Sequence, residues 1–224
     1  GGRDLQAVGR IAQRPAQCAR FGHVVGGGGG AVCVHVGQPV EVQPGIAQAI
    51  LDGSDALMLS GETATGNYPI EAVTEMCRII EATENSPYDD SPSHAFEGSS
   101  MDDYKASLIA GAVERLAMGV DAHAIIGTTE SGYTARFVSR ERPEAPIIIL
   151  TDREKVHRQM CLTWGITPLY VKSLSAFKTV EALLNYFVSE VKRLKLIEKG
   201  EKVVLVAGNP LGERMNLVQA VTVK

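Results

Sequence analysis

The sequence predicts an α/β protein whose second half is a mostly parallel sheet covered by helices on both faces. Three observations carry that prediction. Along residues 101–224, short apolar runs alternate with stretches of helical period. Polar turns containing Gly or Pro separate them. The runs are continuously apolar rather than alternating, as strands covered on two faces require.

Taken in order, residues 1–45 are rich in Gly, Arg, Gln, Val and Ala and show no sustained period of 3.6 or 2. They read as unstructured or poorly structured. The run Gly26 to Gly30 invites a phosphate-loop reading, but such loops place particular glycines between a strand and a helix, with Lys and Ser or Thr following. Here Ala31, Val32 and Cys33 follow, and the motif is not met.

From Ile46 the pattern becomes regular. Ile46, Ala49 and Ile50 form a short helical stripe closed by Asp52 and Gly53. Ala56 to Leu59 is a continuous apolar run expected to be a buried parallel strand, and Ser60 to Tyr68 a polar loop. Pro69 suits a first helical turn, after which Ile70, Val73, Met76, Cys77 and Ile80 recur at helical spacing.

Asn85 to Ser100, rich in Ser, Pro, Asp and Gly, reads as a linker and a domain boundary. Beyond it Tyr104, Leu108, Ala112, Val113 and Leu116 are expected to share a helix face. Ala122–Ile126, Pro146–Leu150, Thr167–Val171 and Val203–Ala207 are expected strands, with a last strand near Leu217–Val223. Helices are expected from about Thr134 to Arg140, over Arg153–Leu162, and along a stripe from Phe177 through Val180, Leu183, Leu184, Phe187 and Val191 to Leu194. Right-handed crossovers between such strands give three layers, helix on sheet on helix.

Composition bounds the partners. The chain has 224 residues, 45% of them apolar and 21% charged, and a formal charge of -4, so it lacks the basic excess that nucleic acid or an anionic membrane selects. No run of 18 apolar residues and no signal-peptide order occur, which predicts a cytoplasmic protein. The four cysteines, Cys18, Cys33, Cys77 and Cys161, have no metal-type spacing and are expected to be buried free thiols. Trp164 reads as a core aromatic, and His94, His123 and His157 as isolated residues without a role.

Two loops carry possible chemistry. Ser60-Gly61-Glu62-Thr63-Ala64 follows an expected strand at its C-terminal end, where ligand-contacting groups gather in parallel α/β architectures. Either Ser60, Glu62 and Thr63 face a polar ligand, or they satisfy local backbone groups. Thr129-Glu130-Ser131-Gly132-Tyr133-Thr134 lies between an expected strand and a helix. Its hydroxyls and N–H groups would hold a phosphate, or simply cap the helix.

The run Ile46–Val73 (IAQAILDGSDALMLSGETATGNYPIEAV) resembles the part of pyruvate kinases that spans the end of the seventh barrel helix, the eighth strand and the eighth helix. Ala124–Thr151 (AIIGTTESGYTARFVSRERPEAPIIILT) is similar to their C-terminal domain, and Arg158-Gln159-Met160, Trp164–Pro168 and Gly200–Gly212 continue the likeness in order. The resemblance implies four segments: 1–45 unmatched, disordered or out of frame; 46–84 the terminal part of a TIM (β/α)8 barrel; 85–100 a linker; and 101–224 an allosteric α/β/α domain. It implies phosphoryl transfer from phosphoenolpyruvate to ADP, with Mg²⁺ and K⁺, in a homotetramer. Ser60, with Glu62 and Thr63, would lie beside the proton relay to the enolate. Thr129, Ser131, Gly132 and Thr134 would contact the phosphate of a sugar-phosphate or nucleotide effector.

In the family the metal-binding carboxylates, the catalytic Lys and the nucleotide-contacting Arg lie on earlier barrel strands, and no position here matches them. The resemblance therefore implies no metal ligands in this chain and a polypeptide inactive alone. The alternative is a non-catalytic sugar-phosphate- or nucleotide-binding regulatory module. After Pro210-Leu211-Gly212 the family has a longer loop before an Asn, whereas here Glu213-Arg214-Met215 leads straight to Asn216.

Overall fold

The computed structural model describes residues 42–87, 100–174, 176–208 and 214–224. The readings of Gly26 to Gly30, Cys18, Cys33, His94 and Pro210-Leu211-Gly212 lie outside the described residues. The described part forms two compact units, one ending at residue 87 and one running from residue 100 to Lys224.

The first unit consists of helices α1 (Val42–Leu51), α2 (Gly61–Ala64) and α3 (Pro69–Glu84). Pro69 opens α3 at a position where its missing N–H costs nothing. Ile46, Ala49 and Ile50 of α1 pack with Leu57 and with Met76 of α3 into a small core. The helix α1 begins at Val42, ahead of the first apolar residue of its stripe. The expected strand Ala56–Leu59 is not formed: only Met58 makes a bridge, Leu57 is buried, and Met58 is 37% exposed. A strand needs at least one neighbouring backbone to pair with, and a run of apolar residues does not supply one by itself. The expected loop Ser60–Tyr68 contains the single turn α2. The α3 stripe is also split, with Met76 buried but Ile70 77% exposed.

The second unit is a five-stranded sheet in the order β3-β2-β1-β4-β5, with β1 Ala124–Thr128, β2 Ile147–Thr151, β3 Ile166–Tyr170, β4 Lys202–Ala207 and β5 Leu217–Thr222. The first four strands are parallel, and β5 pairs antiparallel with β4 from Lys202↔Thr222 to Ala207↔Leu217. A parallel strand needs a long crossover, whereas the short connection after β4 allows only a return in the opposite sense. The helices are α4 (Met101–Val120), α5 (Tyr133–Arg140), α6 (Glu154–Met160) and α7 (Val180–Arg193).

Alternate residues of each strand feed two separate cores. Ala124, Ile126, Ile148, Leu150, Val203 and Leu205 pack with Leu183, Leu184, Phe187 and Val191 of α7. Ile125, Ile147, Ile149, Val204 and Val206 pack with Ala110 and Val113 of α4, Ala135 and Val138 of α5, and Val156 and Met160 of α6. That is why β1, β2 and β4 are apolar along most of their length. Side-chain caps start two of the helices: Ser100 Oγ accepts from Asp103 N–H at 3.2 Å, and Thr179 Oγ1 accepts from Ala182 N–H at 3.2 Å.

The face of α4 differs from the expected one. Its buried residues are Ala106, Ala110, Gly111, Val113 and Ala117, whereas Tyr104 is 52% and Leu108 54% exposed, and Ala112 is exposed too. Small side chains let the helix axis approach the sheet closely, so the large residues are turned outward. Cys161 is exposed at the end of α6 and Cys77 is half-buried, so neither is the buried thiol expected. Trp164 is half-buried beneath the Arg142 guanidinium, 4.6 Å from the ring centroid, rather than a core residue. No described helix is long and apolar enough to cross a membrane.

Candidate functional site

In an open parallel sheet, ligands gather where the strand order reverses, because the loops on either side of that point diverge and leave a crevice at the C-terminal ends of the strands. Here the chain winds from β1 outward through β2 to β3 and then returns to β4 on the other side of β1. The reversal lies between β1 and β4. The loop after β1 is Thr129–Gly132, so four of the sequence-predicted residues stand at or beside the reversal point.

This loop is held by its own side chains. Thr129 is buried, its N–H donates to the Leu150 carbonyl at 3.1 Å, and its Oγ1 accepts from Gly132 N–H at 2.9 Å. Ser131 is exposed, and its Oγ accepts a long bond of 3.4 Å from Tyr133 N–H. Gly132 has φ +84°, a backbone region costly for residues with a Cβ, and a Cβ there would come within 2.7 Å of Met160 Cε and 2.9 Å of Arg136 Nη1. Thr134 is half-buried in the first turn of α5. Thus Thr129 and Gly132 shape the turn, while Ser131 offers a hydroxyl to solvent. Two charges flank it: exposed Glu130, and Arg136, whose Nη2 donates to the Ser131 carbonyl at 3.3 Å.

Sequence reasoning missed the residues that brace this loop from other elements. Tyr133 Oη donates to Asp103 Oδ1 at 2.8 Å, and the Arg214 guanidinium stands 5.0 Å from the Tyr133 ring centroid while pairing with Asp102 at 3.0 Å. Burial and the adjacent Asp103 carboxylate raise the Tyr133 phenol above its usual range. These four residues are 30 or more positions apart in part, joined only by packing of α4, α5 and the segment before β5. No local signal announces such a cluster.

The first unit holds the other predicted set. Ser60 N–H donates to Glu62 Oε2 at 2.8 Å, and Thr63 Oγ1 donates to the Ser60 carbonyl at 3.3 Å. Glu62 and Thr63 therefore fix the backbone around Ser60, whose side chain makes no cap bond and whose residue is exposed. Gly66 closes the turn through its N–H to the Gly61 carbonyl at 2.8 Å, and a Cβ there would lie 2.3 Å from the Glu62 carbonyl oxygen. Among the described residues no group of three or more His, Cys, Asp or Glu is placed to hold a metal ion.

Comparison with known proteins agrees with this division. The family model "Pyruvate kinase, alpha/beta domain" matches residues 107–221, and "Pyruvate kinase, barrel domain" matches residues 40–73. Pyruvate kinase from Clostridium acetobutylicum is 39% identical over 165 residues, covering 74% of this chain and 34% of that protein. Pyruvate kinase from Geobacillus stearothermophilus is 40% identical over 169 residues, covering 75% of this chain and 28% of that one. The crystal structure of a pyruvate kinase from Cryptosporidium parvum superposes with a TM-score of 0.66 at 30% identity, over 84% of this chain and 36% of its own. The chain thus spans 34% or less of these two curated relatives. With two successive domain matches in the order in which the two units occur, the chain belongs to the pyruvate kinase family.

Proposed function

We propose that this chain serves the phosphoryl transfer of its family, from phosphoenolpyruvate to ADP, as the terminal part of the barrel and the allosteric domain of a cytoplasmic homotetramer. The observation that supports the reading is the pair of family matches over the barrel segment 40–73 and the α/β domain 107–221. On this reading the domains are 46–84 and 101–224, joined by a linker at 85–100. Ser60 presents its hydroxyl to the proton-delivering network of the active site. Glu62 and Thr63 act on Ser60 through its backbone N–H and carbonyl, holding it in position rather than touching substrate.

Mg²⁺ and K⁺ belong to the family's chemistry. Glu62 Oε2 accepts from the Ser60 N–H at 2.8 Å, and among the described residues no group of three or more His, Cys, Asp or Glu is placed to hold a metal ion. No step is therefore routed through a metal at the described residues. Charge neutralisation dominates phosphoryl transfer, and by the family resemblance the groups that supply it lie on earlier barrel strands. The chain by itself is expected to show no turnover. A lactate-dehydrogenase-coupled assay with ADP and phosphoenolpyruvate tests this, and a rate of ~1 per second or more overturns it.

In the α/β domain, Thr129, Ser131, Gly132 and Thr134 form an effector-phosphate loop. Its support is the position of the loop at the strand-order reversal, with exposed Ser131 and the cation Arg136 beside it. Calorimetric titration with fructose 1,6-bisphosphate, glucose 6-phosphate and AMP tests it. Saturable binding that Ser131→Ala weakens supports the loop, and no binding of any of the three removes it. The non-catalytic regulatory module is the second reading, which the pyruvate kinase matches over both units do not favour.

A further inference from the structure

One carboxylate is shared between the first turn of α4 and the loop after β1. Asp103 Oδ1 accepts from the Tyr133 hydroxyl at 2.8 Å, and Asp103 Oδ2 accepts from Ser100 Oγ at 2.7 Å. Ser100 is the N-cap of α4: its Oγ accepts from the Asp103 N–H, and its carbonyl accepts from the Tyr104 N–H at 3.1 Å. At the other end Tyr133 directly follows Gly132, the positive-φ residue of the loop, and its N–H makes the long 3.4 Å bond to Ser131 Oγ. A chain of bonded groups thus runs from the exposed hydroxyl of Ser131 through Tyr133 and Asp103 to Ser100, the first described residue of the α/β unit.

We propose that the Tyr133 hydroxyl is a positioning group that couples the loop after β1 to the first turn of α4, so that a ligand held at Ser131 is registered at Ser100. The coupling follows from the unliganded geometry, whereas its response to a ligand rests on the effector-phosphate reading above. Tyr133 transmits a displacement because its side chain is stiff and held by its neighbours. It has few rotatable bonds, its ring packs on that of Phe137 with centroids 4.7 Å apart, and the Arg214 guanidinium over it is itself paired with Asp102. Burial and Asp103 raise the phenol above its usual range, so it stays protonated and donates at neutral pH.

The bond at its far end is charge-assisted and sensitive to alignment. A phosphate that takes up Ser131 Oγ or the Tyr133 N–H replaces the 3.4 Å bond between them and shifts the backbone from which the ring projects. Asp103 then follows the hydroxyl or loses it, and either response changes the cap on Asp103 and Tyr104. Coupling of this kind is reciprocal, so loosening the cap loosens the loop.

Hydrogen exchange of single amides in the intact chain, read by NMR, tests the proposal. Tyr133→Phe removes the hydroxyl and keeps the ring. It is expected to speed exchange about five-fold or more at Asp103 and Tyr104, the amides bonded to Ser100, and at Gly132, whose N–H is bonded to Thr129 Oγ1. Ser100→Ala is expected to speed Gly132 likewise, an effect that a purely local cap does not produce. The amides of β4 check the fold and are expected to stay unchanged in both variants. Unchanged exchange at Asp103 and Tyr104 in Tyr133→Phe overturns the proposal. So does unchanged exchange at Gly132 in Ser100→Ala, or a rise that includes β4, which marks a general loss of stability.

Fructose 1,6-bisphosphate, glucose 6-phosphate and AMP then separate the coupling from the phosphate reading. A ligand that slows Gly132 is expected to slow Asp103 and Tyr104 as well in the unaltered chain, and to act on the loop alone in Tyr133→Phe. Slowing confined to the loop of the unaltered chain overturns the coupling. If none of the three slows Gly132, the phosphate reading fails, and the unliganded comparison by itself decides the coupling.

Discussion

The two units of this molecule use similar apolar sequences to different effect. In the α/β unit every strand finds a neighbour, and alternate residues close two cores, with Phe187 and Ile126 fully buried. In the helical unit the run Ala56–Leu59 is as apolar as β1, yet it makes one bridge, and Tyr68, Ile70 and Val73 remain exposed around a small core. Apolar residues stabilise a fold only when the topology supplies surfaces to bury them against.

The largest expected effect sharpens that contrast. Phe187→Ala removes a fully buried ring from the face of the sheet under α7 and should destabilise the α/β unit by about 3–5 kcal/mol. Chemical denaturation followed by the Trp164 fluorescence of that unit measures it. A loss below about 1 kcal/mol would mean that this core is no tighter than the other.

Gly132→Ala comes next. It forces a Cβ into a positive-φ position and against Met160 and Arg136, at an expected cost of about 2 kcal/mol. Because the strain lies in the loop after β1, Ser131→Ala at the same site should change stability by less than about 0.5 kcal/mol, as at other exposed positions. Comparing the two melts separates loop shape from loop chemistry.

A smaller effect is pH-dependent. Burial first, and then the neighbouring Glu114, raise the Glu141 carboxyl above its usual range against the opposing influence of Arg140 and Arg115. A carboxyl raised in the folded state contributes stability that is full below its unfolded value, and that contribution is lost as pH rises through the folded value. Glu141→Gln should therefore raise the melting temperature at pH 7 and leave it unchanged or lower near pH 4. A pH series of thermal melts on both proteins checks the sign.

The smallest effect comes from the helical unit. Ile70→Ser, at a residue 77% exposed, should shift stability by no more than about 0.5 kcal/mol. A loss above 2 kcal/mol would show that α3 is covered in solution and would break the comparison.

Legibility followed the same physics. The strands Ile147–Thr151 and Lys202–Ala207 were readable because burial on both faces leaves an unbroken apolar run, and α7 because large residues mark its stripe. The buried face of α4 was not, since Ala106, Ala110, Gly111 and Ala117 carry almost no hydropathic signal, while the exposed Tyr104 and Leu108 carry a strong one. The exposure of Cys161 was equally hidden, because a thiol's burial depends on what the fold sets against it. Of the candidate site, the loop Thr129–Thr134 was visible as a motif. Its bracing by Asp102, Asp103 and Arg214 was not.

By itself, then, the sequence determined the α/β class of residues 101–224, the positions of their strands and the two polar loops. These depend on local period, turn residues and hydrophobicity. Only the tertiary structure decided that β5 runs antiparallel, that the order of strands reverses between β1 and β4 beside Thr129, and that Ala56–Leu59 makes a single bridge rather than a strand. It also brought Arg214 and Asp103 to Tyr133. Pairing and clustering are properties of residues far apart in the chain, and no local pattern encodes which neighbour a backbone or a charge will find.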